Sequence, residues 1–152
     1  MGVRDMTERE CREVLARGNV GHLACVHDSR PYVVPIHYAF DAENIYVFSL
    51  PGQKIDWMRT NPNACIQVEE TGELHLWKSV VVEGTFRELP DTAQLHDERI
   101  HAWSLLQKRS LWWEPGSSKP GTGSAETEVP IFFAISVDGI SGRELLAQAA
   151  PV

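Results

Sequence analysis

The chain has 152 residues, of which 43% are hydrophobic and 23% charged, enough for one compact domain with its own core. Its net charge of −7 and pI near 5.3 argue against nucleic-acid binding through a broad basic face, while leaving room for one local basic pocket. No apolar run approaches the roughly 20 residues that span a bilayer, and the opening MGVRDMTEREC has neither the apolar centre of a signal peptide nor the hydroxyl residue of a myristoylation site.

Thr7 stands three positions before Glu10, a capping-box spacing, and Cys11, Val14 and Leu15 then share one side, so a helix is predicted over 7–17, stopped by Gly18. Asn19 to Val26 reads as a strand and His27 to Arg30 as a turn. Pro31 to Phe40 and Ile45 to Ser49, separated by the polar DAEN, read as the two strands of a hairpin. In the first, Tyr32, Val34, Ile36, Tyr38 and Phe40 share one face, and Val33, Pro35, His37 and Ala39 the other. Pro35 has no N–H for a ladder, which places it on an edge, at a bulge, or beside a ligand, where the N–H groups on either side of it could point into a site. KIDWMRTN is a short helix ended by Pro62, with Ile55, Met58 and Trp57 on its buried side.

Ala64 to Glu69 and Ser79 to Glu88 follow as strands, the second with Gly84 as a bulge or close-approach point. Strands in sequence at such short spacing favour an antiparallel barrel over a βαβ fold. A helix is predicted from Asp91 to about Lys108, with Leu95, Ile100, Ala102, Trp103 and Leu106 as its apolar stripe. The glycine- and serine-rich stretch 116–128 reads as a mobile loop rather than a domain linker, and Val129 to Ile140 as a last strand. Cys11, Cys25 and Cys65 are odd in number and lack any CxxC, which points to reduced thiols in a cytoplasmic protein and to no zinc site.

The chemistry concentrates after the Ile45 strand. Ser49 supplies a hydroxyl, Lys54 a charge, and the backbone from Gly52 to Lys54 a set of helix-start N–H groups, a combination that suits a phosphate. The same pattern also fits a plain strand–loop–helix junction with a surface lysine, and spacing alone does not separate the two. His37 is the candidate acid or base, since imidazole titrates near neutrality. The alternative is a histidine that only hydrogen-bonds across the barrel. His22 reads as structural, His27 as a turn residue, and His96 with His101, five apart, as a poor metal pair. Trp103, Trp112 and Trp113 read as core or interface aromatics, with capping of a flat ligand as their other use. Glu69, Glu70 and Glu73 read as a solvated strand end rather than a metal site.

Taken in order, VGHLACV, PYVVPIHYAF, IYVFS followed by Lys54, NPNACIQVEE, WKSVVVEG and the closing ISGRE resemble the pyridoxamine 5′-phosphate oxidase-like family of FMN-binding split barrels, over residues 7 to 144. The branch most similar is that of nitroimidazole-resistance proteins. The resemblance implies a mainly β fold with flanking helices, a six-stranded antiparallel split β-barrel. It implies a homodimer with two FMN sites between subunits. Val34, Pro35, Ile36 and His37 would then line the isoalloxazine ring, Ser49 and Lys54 would hold the phosphate, Trp77 and Ser79 would approach from the partner subunit, and Arg143 would lie near the site mouth. The extra arginine and lysine set with which true pyridoxamine 5′-phosphate oxidases grip two phosphates is absent, which argues against vitamin B6 oxidation. The implied activity is an FMN-dependent flavin reductase passing electrons from a reduced nicotinamide to a small acceptor, nitro-aromatic compounds included. A non-catalytic flavin- or haem-binding module, or a deazaflavin-dependent reductase, are the alternatives.

Overall fold

A computed structural model describes residues 2–109, 111–117, 119 and 129–147. Its nine strands are β1 (Gly2–Asp5), β2 (Val20–His27), β3 (Arg30–His37), β4 (Ala39–Phe40), β5 (Asn44–Ser49), β6 (Asn63–Thr71), β7 (Trp77–Glu88), β8 (Ile131–Ser136) and β9 (Gly139–Leu146), with helices α1 (Glu8–Arg17), α2 (Gln53–Thr60) and α3 (His96–Gln107). All strand pairs are antiparallel, in the order β3-β2-β6-β7-β8-β5-β4, with β9 also pairing β7 and β1. The two ends of that path, β3 and β4, are separated on the chain by Tyr38 alone. A sheet whose opposite edges are one continuous run must curl back on itself, and the result is a split barrel.

This seam corrects the predicted hairpin. Only Ala39 and Phe40 pair with Tyr46 and Ile45, whereas the run from Arg30 to His37 pairs back onto β2 through a two-residue turn, Asp28-Ser29, with φ of 50° and 63°. Tyr38 is fully buried at the split, its hydroxyl donating to the Leu15 carbonyl of α1 at 2.7 Å. The predicted helix 7–17 forms with its capping box intact: Glu10 N donates to Thr7 Oγ1 at 3.2 Å and Thr7 N to Glu10 Oε1 at 2.9 Å.

Two cores result. Leu23, Ile36, Ile45, Val47, Ile66, Val80, Val82 and Ile135 fill the barrel. Ala39, Tyr46, Phe48, Phe132 and Ala134 pack outward against Ala102, Leu106 and Trp112. Strand β5 is buried on both faces, which explains why NIYVFS lacks polar alternation. Helix α3 is tied down by Arg87, whose guanidinium bonds both Glu98 carboxylate oxygens and holds that acid below the usual carboxylate range. It starts later than predicted, because 92–95 form turns, and Ile100 faces solvent, so the stripe is Ala102 and Leu106 with Trp103 beside them.

The predicted last strand 129–140 is two strands: Val137 and Asp138 turn the chain, donating to Glu43 O and Glu83 O, and β9 returns along β7. Both this strand and β1, unmarked by any long apolar run, escape sequence reading. The predicted loop 116–128 lies largely outside the described residues. Among the described residues no helix is long and apolar enough to cross a membrane.

Gly84 stands opposite Ala64 of β6, where β7 leaves β9 and, two residues on, begins to pair with β8. A Cβ there would lie 1.9 Å from the Ser136 carbonyl oxygen. Gly84→Ala is therefore expected to destabilise the protein by about 2–3 kcal/mol, read as a lowered midpoint in urea unfolding.

Candidate functional site

Strand β3 is the free edge of the curled sheet. Its two-residue turn makes His27 and Arg30 a hydrogen-bonded pair, and alternation along an antiparallel ladder then directs the N–H groups of Tyr32, Val34 and Ile36 at β2. Tyr38 N, of the same parity, donates to Asn19 O at 3.2 Å. Residues 31, 33, 35 and 37 turn their backbone polar groups outward. Both prolines of the strand, Pro31 and Pro35, fall on these outward positions, where no ladder hydrogen bond is lost. The groups flanking Pro35 are thus engaged with β2, contrary to the sequence reading. The outward donors are Val33 and His37. On the side-chain level Ile36 is buried in the barrel and Val34 half-buried against it, so the outer face of the strand presents Val33, 62% exposed, and Pro35.

Ser49 ends β5 and Lys54 opens α2, and both are buried, at 0% and 8% exposure. Ser49 Oγ donates to the Leu50 carbonyl at 2.8 Å, leaving its lone pairs as acceptors. Leu50 N donates to Glu114 Oε2 at 3.0 Å, and Lys54 Nζ donates to Glu114 Oε1 at 2.5 Å. Helix α2 has no side-chain cap at its N-terminus. A buried ammonium and a backbone N–H thus converge on one anion, and that anion is a carboxylate from a segment that sequence reasoning did not assign to the site.

That segment runs from Trp112 to Ser117. Trp112 is buried edge-on to Phe48 and Trp103, with ring centroids 5.2 and 4.8 Å away. Ser117 N donates to Glu114 O at 3.2 Å, closing a four-residue turn with Pro115 second and Gly116 third at φ +84°. This is a type II turn, which favours proline and glycine at those two places. Trp113 donates its indole N–H to Ser117 O at 3.0 Å, and its own carbonyl lies 2.6 Å from His37 Nδ1. The Pro-Gly pair behind two tryptophans and a lone acid was the available sequence signal. Lys54 and His37, predicted as parts of one site, are both bonded to this one segment, while Ser49 bonds the Leu50 carbonyl beside it.

Trp77, Ser79 and Arg143 form a separate group. They line a cavity of about 580 Å³ between β7 and β9 together with Met6, Val81 and Ile140. Arg143 stands opposite Ser79 in register and its guanidinium is 3.3 Å from Asp5. Ser79 Oγ accepts from Gln67 at 3.1 Å. Burial raises the pKa of all three cysteine thiols, which disfavours thiolate chemistry at neutral pH.

The geometry defines a class: a split β-barrel with a buried lysine–carboxylate pair beside its seam and a cavity on β7 and β9. Comparison with known sequences agrees. The pyridoxamine 5′-phosphate oxidase family profile matches residues 7–144, and the chain belongs to that family. An uncharacterised protein of Rhizobium meliloti (strain 1021) is 49% identical over 97% of this chain and 98% of its own. The crystal structure of a FAD-binding protein from Mesorhizobium loti matches with 44% identity and a TM-score of 0.77, covering 95% of this chain and 97% of that one. A putative 5-nitroimidazole antibiotic resistance protein from Bacteroides thetaiotaomicron shares the fold at 18% identity and a TM-score of 0.72, covering 95% and 89%.

A carbonyl oxygen only accepts, so the contact to Trp113 fixes the proton of neutral His37 on Nδ1 and leaves Nε2 with the lone pair. Long-range ¹H–¹⁵N spectra above the histidine titration are expected to show the Nδ1–H tautomer for His37. An Nε2–H pattern would remove the Trp113 contact.

Proposed function

We propose that this chain is a flavin-binding oxidoreductase that holds the ribityl phosphate of FMN or FAD at Lys54. The observation that carries the reading is the convergence of Lys54 Nζ and Leu50 N–H on a single carboxylate. These groups suit a phosphate as they suit Glu114, since a buried cation and an aligned N–H are the usual donors to a phosphoryl oxygen. The 44% identical relative described as FAD-binding supports a flavin nucleotide, and both FMN and FAD carry the phosphate in question.

Lys54 anchors the anionic tail, with Ser49 Oγ close behind at the strand end. The outward face and edge of β3, with Val33, Pro35 and the free N–H groups of Val33 and His37, then offer an apolar wall and two donors for a flat ring. Val34 and Ile36 stiffen that wall from inside the barrel, and His37 Nε2 is placed to accept or return a proton. The bound flavin would supply the chemistry, taking a hydride from a reduced nicotinamide and passing electrons to a small acceptor such as a nitro-aromatic compound.

The site is completed by a second copy of the chain. Within one chain Trp77, Ser79 and Arg143 lie on their own cavity, reached from β3 only across β2 and β6. Trp77, Ser79 and Val81 are half-buried along the outward face of β7, a surface suited to a partner. A homodimer would bring Trp77 and Ser79 to the other subunit's flavin, with Arg143 at the mouth. Sedimentation at micromolar concentration is expected to give a dimer; a monomer would remove these three residues from the site.

Purified protein is expected to show flavin absorbance that bleaches with a reduced nicotinamide, and mass analysis of the released compound separates FMN from FAD. Lys54→Ala should weaken FMN binding by about 1.5–3 kcal/mol, roughly 10- to 100-fold, with the fold intact. Unchanged affinity by equilibrium titration would move the phosphate elsewhere. Tight flavin binding without turnover near about 1 s⁻¹ would leave a binding protein rather than an enzyme.

A further inference from the structure

We infer that the Trp112–Ser117 segment is an autoinhibitory strap, and that Glu114 is a resident anion that the ligand's phosphate must displace. The inference rests on the flavin-phosphate reading of Lys54 and adds a competitor to it. Each Glu114 carboxylate oxygen takes one donor: Oε1 takes the Lys54 ammonium, and Oε2 takes the Leu50 N–H. Those two groups are the charged and the backbone halves of the proposed phosphate site, so one carboxylate occupies both. A phosphate and the Glu114 carboxylate cannot share the single buried Lys54 ammonium without placing two anions side by side.

The strap is built to present this acid. Its type II turn is closed by Ser117 N, and Ser117 Oγ also donates to Glu114 O at 2.7 Å. Trp112 pins the proximal end in the outer core through Phe48 and Trp103. Beyond Trp112, and among the described residues, the strap's polar bonds to the barrel run through three barrel groups, namely Lys54, Leu50 N and His37 Nδ1. The turn can therefore lift while Trp112 remains docked; because Trp113 also packs against the outer core, freeing His37 requires that indole to leave with the turn, and Lys54 and His37 are then released together. Phosphate entry and exposure of His37 become one event. Apparent affinity is reduced by the fraction of molecules with the strap lifted, so weakening the closed contact tightens binding without adding any contact to the ligand.

Isothermal titration of wild type, Glu114→Gln and Glu114→Ala with FMN, riboflavin and inorganic phosphate tests this. Inorganic phosphate absorbs no near-ultraviolet light, so its binding is also followed by tryptophan emission. Circular dichroism and thermal unfolding establish that each variant is folded. Both variants are expected to bind FMN and inorganic phosphate about 10-fold more tightly or better, with riboflavin, which lacks the phosphate, unchanged. Equal or weaker FMN binding in two folded variants would overturn the inference while leaving the flavin reading in place, because Glu114 would then position Lys54 rather than compete for it. Failure of FMN to bind any of the three proteins would overturn the flavin reading, and the inorganic phosphate titration would then decide the strap by itself: a gain in the variants supports it and no gain overturns it.

Discussion

The protein is organised by a sharing constraint: one extended run, Arg30 to Phe40, serves as both edges of the same sheet. Its first part pairs with β2 and its last two residues with β5, and Tyr38 between them is anchored to the Leu15 carbonyl. Curling follows, and so does the place of the site. At the seam the backbone of β3 is unpaired on its outer side, and the end of β5 and start of α2 lie nearby in the chain. His37, the last residue before the split, is where edge, core and covering segment meet.

Electrostatics then dictates what must happen beside the seam. Lys54 is buried at the head of a helix whose N-terminal end already carries partial positive charge. A desolvated ammonium in that position is costly unless an anion is close. The chain provides one from its own covering turn. That need for a counter-anion explains why an acidic side chain sits there. Under the proposed reading, stability of the free protein and affinity for a ligand would draw on one interaction and oppose each other through it.

Much of this was legible in the residues. Capping at Thr7, the stop before Pro62 and the close approach at Gly84 each follow from local chemistry. Ser49 and Lys54 were identifiable because they flank a strand–helix junction only a few residues long. What resisted was non-local. The partner of the 30–40 run cannot be read from its pattern, since an alternating strand is equally suited to a neighbour before or after it. That single ambiguity produced both the hairpin error and the misassigned donors around Pro35. Glu114 lies 60 positions from Lys54, and nothing in a lone acid between tryptophan and proline states which cation it will meet. Strands β1 and β9 stabilise each other and β7 with modest apolar content, so periodicity does not mark them.

The two prolines on the outer positions of β3 also decide what kind of guest that border can receive. An open strand edge ordinarily invites another polypeptide to add itself, in recognition or in aggregation. With Pro31 and Pro35 there, the remaining donors at Val33 and His37 are four residues apart, about 13 Å at the usual rise. An incoming strand would find no donor at every second outward position, although the proline carbonyls still accept. The border is therefore a broken template for strand addition, and its two prolines guard an otherwise open edge.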